Sequence, residues 1–276
     1  MTHLLDFSGL TVVVTGAASG MGRETVRLLL DAGASIHTVD IDPVEATVAG
    51  THACDLAEPS SVDQLVEALP SKIDVLMNCA GVPNGGRFTP EMVMRVNWLG
   101  LRRLTESVLP RMGPRGAVVH IASTAGRAWP ERLAAHQQLM AAESFDAGLA
   151  WVLNHPDMVG DGYAFSKEAV QFYTLWRSVQ LLPTGIRMNS VCPGITDTGI
   201  ISDFRKGMGD DVIDSAEAIA GRMAQPSEMA PAMLFLADYE SSSYINGINL
   251  NVDRGTGAAR LSEQIDPAAI WGSQPQ

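Results

Sequence analysis

Tyr163 and Lys167, four residues apart, are the side chains of this chain best suited to moving a proton. Residues at that spacing lie one above the other on one face of a helix, so an ammonium group would stand beside a phenol. A free phenol has a pKa of about 10, and lowering it to about 7 takes roughly 4 kcal/mol. A neighbouring positive charge favours the ionised phenol. The pair therefore predicts a general acid or base whose pKa is lowered.

A glycine-rich segment, Thr15-Gly-Ala-Ala-Ser-Gly-Met-Gly22, predicts a site for a dinucleotide. It follows the apolar run Leu10-Thr-Val-Val-Val14 and precedes an amphipathic run, so it lies at a strand-to-helix turn. Backbone amides there can approach a pyrophosphate, although glycines at such turns can also be purely structural. Asp40 favours the ligand interpretation, because it ends the next predicted strand, where its carboxylate can accept hydrogen bonds from an adenosine ribose.

A dinucleotide site together with an ionisable phenol predicts hydride transfer to or from a carbonyl carbon. An oxidised nicotinamide ring would add a second positive charge beside Tyr163. The residues after Asp40 are Ile41 and Asp42, so no cation directly follows the acid. A 2′-phosphate would face like charge there, which predicts NAD rather than NADP as the cofactor. Asp55 could contact the adenine or cap the following helix, and both interpretations stay open.

Strand-like apolar runs alternate with helical patterns along most of the chain. Predicted strands cover 10–15, 35–40, 51–54, 73–78, 116–122, 186–192 and 247–252, and predicted helices cover 21–32, 60–69, 90–112, 163–182 and 226–238. This order predicts an α/β fold: a single Rossmann-type, doubly wound, parallel sheet of about seven strands with helices on both faces. We expect residues 1–276 to form one dinucleotide-binding and catalytic domain.

Charge and composition exclude several classes of partner. A formal charge of −12 argues against nucleic acid or an anionic membrane surface. The sequence shows no signal peptide and no apolar run of the roughly 18 residues that a membrane span needs. We therefore expect a cytoplasmic protein. Its three cysteines, Cys54, Cys79 and Cys192, are expected to be buried and reduced, with no disulfide and no metal.

The stretch 127–162 interrupts the alternation and predicts a helical insertion directly before the helix that begins near Tyr163. Its loose apolar stripe indicates that one of its faces is buried. We expect the insertion to cover the substrate end of the cleft; a packing element or an oligomer contact is the alternative. The side chains that would meet an aromatic substrate are Trp129, Met140, Phe145 and Trp151.

The joint pattern resembles the short-chain dehydrogenase/reductase family over nearly the whole chain. The motifs that carry the resemblance are Thr15-Gly-x-x-x-Gly-x-Gly22, Asn78-Cys-Ala-Gly81, Asn97, Ser123, Tyr163-x-x-x-Lys167 and Pro193-Gly194. The resemblance implies that Tyr163 is the acid/base and that Ser123 polarises the substrate oxygen. It also implies that Lys167 binds the nicotinamide ribose and lowers the tyrosine pKa, while Asn97 holds a relay water.

The same resemblance implies a set of cofactor contacts and a substrate-side loop at 195–225. The cofactor contacts are Gly16, Ser19, Gly20, Met21, Gly22, Asp40, Ile41, Asp55, Leu56, Cys79, Ala80, Gly81, Tyr163, Lys167, Pro193, Gly194, Ile195 and Thr198.

Three features depart from the usual family pattern. Cys79 replaces the second asparagine of the usual Asn-Asn-Ala-Gly. The replacement puts the side-chain contact of that asparagine in doubt, but not the path of the backbone. Asp253-Arg254-Gly255 stands where Asp-Gly-Gly is usual. Ser123 and Tyr163 are also much further apart than is usual, and the insertion accounts for the difference.

The insertion resembles the branch of 3α-hydroxysteroid dehydrogenases and carbonyl reductases, and runs 97–106 and 128–136 resemble dehydrogenases of the coniferyl-alcohol type. The resemblance implies an NAD-dependent oxidoreductase that interconverts a bulky or aromatic alcohol and its aldehyde or ketone. One alternative is a 3α-hydroxysteroid dehydrogenase or carbonyl reductase. A distant one is a non-catalytic dinucleotide-sensing protein, which would not need Tyr163 and Lys167. The expected partners are a small apolar or aromatic alcohol or carbonyl and further copies of the chain, as a homodimer or homotetramer.

Overall fold

Seven parallel strands form one sheet in the computed structural model, which describes residues 5–266 and 270. Their order is β3-β2-β1-β4-β5-β6-β7, and it confirms the predicted fold class. The strands are β1 (Thr11–Thr15), β2 (Ser35–Asp40), β3 (Gly50–Ala53), β4 (Val75–Asn78), β5 (Ala117–Ile121), β6 (Arg187–Pro193) and β7 (Asn249–Val252). The chain runs outward from β1 to β3 and then crosses back to β4, so the order reverses between β1 and β4. Ligands of such sheets bind at this point, beyond the carboxyl ends of the strands.

Helices connect and cover the strands. They are α1 (Gly20–Asp31), α2 (Pro59–Ala68), α3 (Pro90–Met94), α4 (Leu101–Val108), α5 (Leu133–Ala141), α6 (Phe145–Asn154), α7 (Pro156–Val159), α8 (Tyr163–Leu181), α9 (Ile201–Met208), α10 (Asp210–Ala220), α11 (Pro226–Ala237), α12 (Tyr239–Ser242) and α13 (Thr256–Leu261). In the part of the chain that the structure describes, no helix is long and apolar enough to cross a bilayer.

Two hydrophobic layers, one on each face of the sheet, hold the fold together. Successive side chains of a strand point to opposite faces. Val12 and Val14 therefore pack in the layer that contains α1 and α11, whereas Val13 packs in the layer that contains α2, α4 and α8. Strands that are covered on both faces have continuous apolar, often β-branched sequences. This is why they could be predicted from the sequence.

The predicted helix over 90–112 is interrupted. A π-helical turn, Arg95–Gly100, separates α3 from α4, and the 3-10 turn Leu109–Arg111 follows. Asn97 lies within the π turn, and its side chain is completely buried. A π turn is a local irregularity that does not end the helix. The apolar periodicity of the sequence therefore continues through the turn, and the sequence does not reveal it.

The helical insertion lies against the outer face of α8 and against α3. It consists of the 3-10 segment Thr124–Arg132 followed by α5, α6 and α7. A buried carboxylate of α8, Glu168, receives hydrogen bonds from Arg132 and from His136 Nε2, the latter at 3.0 Å. The His136 ring also stacks on Phe165, with the ring centroids 4.6 Å apart. Ionic and aromatic contacts thus fix the insertion to the catalytic helix.

Candidate active site

A cavity of about 670 Å³ runs along the carboxyl ends of the strands. Every residue that the sequence analysis assigned to cofactor or catalysis lines it, except Asn97. The cavity therefore brings together, in one place, residues that lie up to 182 positions apart, from Gly16 to Thr198. Their individual roles remain predictions.

The glycine turn at the end of β1 lets the backbone come closer than any side chain would allow. Gly16 has a φ of +67°, and a Cβ there would lie 2.7 Å from the backbone of Ala80. A Cβ on Gly22 would clash with the carbonyl oxygen of Gly16. At the start of α1, the N-cap Ser19 makes no side-chain cap hydrogen bond, and no acid lies in the first turn. The first amides of α1 can therefore serve an anionic ligand.

Asp40 is held at the end of β2 by two backbone hydrogen bonds. Its Oδ2 accepts from Ala18 N at 2.9 Å, and its Oδ1 accepts from Asp42 N at 3.0 Å. The first bond ties the acid directly to the glycine turn. The nearest cation of α1, Arg23, has a side chain 67% exposed and pairs at 3.9 Å with Glu24. It does not line the cavity, so the acid keeps its local negative charge.

Asp55 and Leu56 follow β3 at the same end of the cavity. Asp55 Oδ1 accepts a hydrogen bond of 2.8 Å from Ala57 N, which stabilises the turn before α2. The N-cap of α2 is Glu58 and not Asp55. Of the two interpretations left open by the sequence, capping of α2 is therefore wrong, and contact with adenine remains a prediction.

The segment after β4 connects the cofactor end to the proton-transfer end. Thr15 Oγ1 accepts hydrogen bonds of 3.1 Å from the backbone amides of Cys79 and Ala80. Burial raises the pKa of the Cys79 thiol to about 12. The side chain that replaces the usual asparagine therefore lines the cavity as an uncharged thiol. A Cβ on Gly81 would lie 3.3 Å from Asn97 Oδ1 and 3.4 Å from Lys167 Nζ.

Tyr163 begins α8, where Gly162 in a left-handed conformation (φ +84°) turns the chain and Asp161 accepts from Tyr163 N at 3.0 Å. Burial raises the pKa of Tyr163 to about 12, and a hydrogen bond with Ser123 lowers it by less. The protein without a cofactor thus raises this pKa, and its lowering by Lys167 together with an oxidised nicotinamide stays a prediction. A phenol enclosed by protein loses the solvation of its anion, and Lys167 does not offset that loss.

Lys167 lies one helical turn further along, with its Nζ 5.9 Å from the centroid of the Tyr163 ring. The ammonium donates a hydrogen bond of 2.9 Å to the carbonyl oxygen of Ile121, at the end of β5. Burial lowers its pKa to about 8. Because this pKa lies close to neutral pH, the protonation of Lys167 responds strongly to any charge brought into the cavity.

Asn97 lies behind the cavity wall. Its Oδ1 accepts from Val82 N at 2.8 Å, and its Nδ2 donates to Val82 O at 2.9 Å and to Ser166 Oγ at 3.3 Å. Three hydrogen bonds of the amide thus fix the loop after β4 to α8. The side chain positions Val82, and its role in holding a relay water stays a prediction.

Residues after β6 close the cavity above the glycine turn. Gly194 N donates to Val252 O at 3.1 Å, and Ala224 N donates to Ile195 O at 2.9 Å, so this edge is tied to β7 and to the end of α10. A Cβ on Gly20 would contact Thr198 Cγ2 at 3.7 Å. Pro193, Gly194, Ile195 and Thr198 therefore face the start of α1 across the cavity.

The substrate end is walled by residues that the sequence analysis did not single out. Phe204 of α9 meets the Tyr163 ring edge-on, with ring centroids 4.8 Å apart. Phe88, Val212, Ile213 and other apolar side chains complete this wall. The spacing of Ile201 with Phe204, and of Val212 and Ile213 with Ala216, is helical and was the available signal.

The prediction that the insertion roofs the cavity is wrong, because Arg127 is the only residue of the stretch 127–162 that lines it. Trp129, Met140, Phe145 and Trp151 do not line it; Trp129 packs on Phe172, and Trp151 stacks on Phe165 and His155. Those partners lie on the outer face of α8 or within the insertion itself. The reason is that the buried stripe of the insertion finds its apolar partners on α8 rather than over Tyr163.

Comparison with known proteins identifies the family. A coniferyl-alcohol dehydrogenase of Pseudomonas sp. is 38% identical over 248 residues, which cover 88% of this chain and 95% of that protein. The chain belongs to the short-chain dehydrogenase/reductase family. A family model for short chain dehydrogenases matches residues 10–135, and one for enoyl-(acyl carrier protein) reductases matches 156–257. A short-chain dehydrogenase/reductase of Penicillium canescens is 31% identical, over 88% of this chain and 94% of that protein.

The fold of this short-chain dehydrogenase/reductase is also similar to a solved structure, that of the 3-alpha-hydroxysteroid dehydrogenase of Pseudomonas sp. B-0831 in complex with NADH. The TM-score is 0.77 at 26% sequence identity, over 92% of this chain and 99% of that chain. The short-chain dehydrogenase/reductase is an oxidoreductase, as the sequence predicted. The gap between the two family models, residues 136–155, falls inside the helical insertion.

Proposed function

We propose that this protein is an NAD-dependent alcohol dehydrogenase that interconverts a bulky or aromatic alcohol and its aldehyde or ketone. The observation that carries the proposal is one cavity that joins a tight glycine turn to Tyr163, Ser123 and Lys167. The apolar wall around Phe204 suits a large apolar substrate. The similarity to coniferyl-alcohol dehydrogenase supports an aromatic one.

The residues present suit a bound NAD. Gly16 and Gly22 leave room that a Cβ would fill, the first amides of α1 can take the pyrophosphate, and Asp40 offers carboxylate oxygens to a ribose. A solved relative contains NADH, which supports the same cofactor. When bound, NAD would accept or supply the hydride.

The protein's own side chains handle the proton. Ser123 shares a hydrogen bond with Tyr163 and would hold the substrate oxygen next to the phenol. Tyr163 takes the proton of the alcohol during oxidation and returns it during reduction. Lys167, anchored on the Ile121 carbonyl, places a positive charge near that phenol and would bind a ribose hydroxyl. The buried phenol needs such charge, because burial alone raises its pKa to about 12.

A 3α-hydroxysteroid dehydrogenase is the second candidate, favoured by the structural similarity to such an enzyme. Cytoplasmic location and assembly as a homodimer or homotetramer remain predictions. The insertion covers the outer face of α8, which favours a dimer over assemblies that would use this face.

Oxidation of a panel of alcohols with NAD, followed by the absorbance of NADH, tests the proposal. We expect cinnamyl-type and benzylic alcohols to have kcat/KM values at least about tenfold above that of a 3α-hydroxysteroid. The variant Tyr163→Phe removes one oxygen and should lower kcat by about 10² to 10⁴ while retaining NADH affinity. A preference for the steroid would favour the second candidate, and a fully active phenylalanine variant would refute the mechanism.

A further inference from the structure

Charge is divided along the cavity. The carboxylates that line it lie at the carboxyl ends of β2 and β3: Asp40 ends β2, Asp42 follows it and Asp55 follows β3. The cations that line it follow β4, β5 and β7 or lie on α8; they are Arg87, Arg127, Arg260 and Lys167. One end of the cavity is therefore acidic and the other is basic, in a chain whose net charge is −12.

The basic end lies far from the expected position of the cofactor phosphates. The glycine turn follows β1, and two strand spacings separate β1 from β5, where Arg127 follows Ser123. Four spacings separate β1 from β7, which precedes Arg260. At about 4.8 Å per strand these spacings are about 10 Å and about 19 Å. Both arginines thus belong to the substrate end.

Within the described part of the chain, Arg127 and Arg260 have no ion-pair partner that would neutralise their charges. Among residues 5–266 and 270, no carboxylate lies within ion-pair distance of either guanidinium, and Arg127 Nη1 donates to the Thr124 carbonyl oxygen at 3.3 Å. Asp253 faces Arg260, but its oxygens already accept hydrogen bonds from Gly255 N, Thr256 Oγ1 and Gly257 N.

The two guanidinium groups also repel each other. Burial and the charge of Arg127 lower the pKa of Arg260. Two cations at one end of a cavity raise the free energy of the folded protein, and a bound anion would reverse that effect. Arginine presents several N–H donors in a rigid plane that matches carboxylate and phosphate oxygens.

An apolar surface leads from Tyr163 toward Arg260. Phe204 of α9 contacts Tyr163, α9 packs against α10, and α10 packs against α13, which carries Arg260. Ile213 of α10 lines the cavity along this path. A ligand that placed its hydroxyl at Tyr163 and its apolar body along α10 would have its far end near α13.

We propose that Arg127 and Arg260 bind an anionic group, a carboxylate or a phosphate, at the end of the substrate remote from the reacting carbon. The inference rests on the proposed function, because it is Tyr163 that sets where the reacting hydroxyl lies. The substrate class is thereby narrowed to alcohols with an apolar or aromatic body and a terminal anion.

Steady-state kinetics with matched alcohols test this inference. The charged substrate is 4-(hydroxymethyl)cinnamate, its neutral counterpart is the methyl ester, and 4-(hydroxymethyl)phenyl phosphate represents the phosphate source. In the double variant Arg127→Gln/Arg260→Gln we expect the ratio of kcat/KM for charged over neutral substrate to fall at least about tenfold. The anion with the larger fall identifies the source.

Arg254→Gln is the control. Arg254 precedes α13 and does not line the cavity, but its replacement removes one positive charge, as each of the two cavity substitutions does. It should leave the ratio unchanged. Retained NADH affinity in the double variant shows that the fold is intact. Equal ratios in the wild type and the double variant, with alcohols being oxidised, would overturn the anion site and leave the dehydrogenase standing.

Binding of 4-methylcinnamate to the protein with NADH, measured by calorimetry, separates the two proposals. This probe has no hydroxyl to oxidise. If no alcohol is oxidised but the double variant binds the probe at least about tenfold more weakly than the wild type, the proposed function fails and the anion site stands. If the wild type and the double variant bind the probe equally, the anion site is refuted.

Discussion

Replacing Asp40 by asparagine should move the cofactor preference from NAD toward NADP. The carboxylate accepts hydrogen bonds from Ala18 N at 2.9 Å and Asp42 N at 3.0 Å, so it is fixed at the ribose end of the cavity. An asparagine keeps the volume and one acceptor oxygen but removes the charge. Asp40→Ala would also release Ala18 N and disturb the glycine turn, so it is the less informative substitution.

The size of the effect follows from Coulomb's law. Unit charges of like sign 4 Å apart repel by about 1 kcal/mol in bulk water and by about 4 kcal/mol at an effective dielectric constant of 20. Asp40 is half-buried and lines the cavity, so it lies between these limits. A penalty of about 3 kcal/mol against a 2′-phosphate corresponds to a preference for NAD of about 10² in kcat/KM.

The assay is kcat/KM for NAD and for NADP with one alcohol at a fixed saturating concentration. The wild type should prefer NAD by at least about 10², and Asp40→Asn should reduce that ratio at least about tenfold, mainly by improving NADP. Asp31→Asn changes the net charge equally on an exposed residue outside the cavity and should leave the ratio unchanged. Equal use of both cofactors by the wild type, or an unchanged ratio in Asp40→Asn, would refute the reasoning.

Three further predictions concern the glycine turn, the buried lysine and the insertion. Gly22→Ala should abolish NADH binding in a fluorescence titration because its Cβ would clash with the Gly16 carbonyl oxygen, whereas Gly113→Ala, where an added Cβ meets nothing within 4 Å, should bind normally. Burial lowers the Lys167 pKa from 10.5 to about 8, so between pH 8 and 10.5 the unfolded chain binds more protons than the folded one. The free energy of unfolding of the wild type, measured in urea titrations relative to Lys167→Met, should therefore rise across that window by up to about 3 kcal/mol. A difference between the two proteins that stays constant with pH would contradict this. Glu168→Gln should lower the free energy of unfolding by about 1–3 kcal/mol and leave NADH affinity unchanged; weaker NADH binding would instead link the insertion to the cavity.

The sheet and the glycine turn could be predicted from the sequence because each is determined by local chemistry. Strands buried on both faces need continuous apolar runs, and the predicted run 10–15 differs from Thr11–Thr15 by one residue. Gly16 and Gly22 occupy positions where the neighbouring backbone excludes a Cβ. Tyr163 and Lys167 share a helix face because four residues make about one turn.

The insertion and the substrate wall could not be placed from the sequence. An apolar stripe shows that a helix face is buried but not which surface covers it, and both α8 and the cavity offered apolar partners. The buried Glu168 could have indicated the correct surface, since a buried carboxylate requires hydrogen-bond donors nearby, here Arg132 and His136. The raised pKa of Tyr163 likewise depends on its burial, which its spacing from Lys167 does not reveal.

The π-helical turn Arg95–Gly100 makes the length of this helix as important as its composition. In a regular helix one residue advances the direction of the side chain by about 100°. Deleting a single residue within the turn would restore regular winding and rotate Asn97 relative to α4, away from Val82 and Ser166. The loop after β4 would then lose its anchor, and Val96, the one residue of the turn that lines the cavity, would be displaced with it. A single-residue deletion in this turn should therefore impair the site as much as the loss of the Asn97 side chain would, because both remove the hydrogen bonds to Val82 and Ser166.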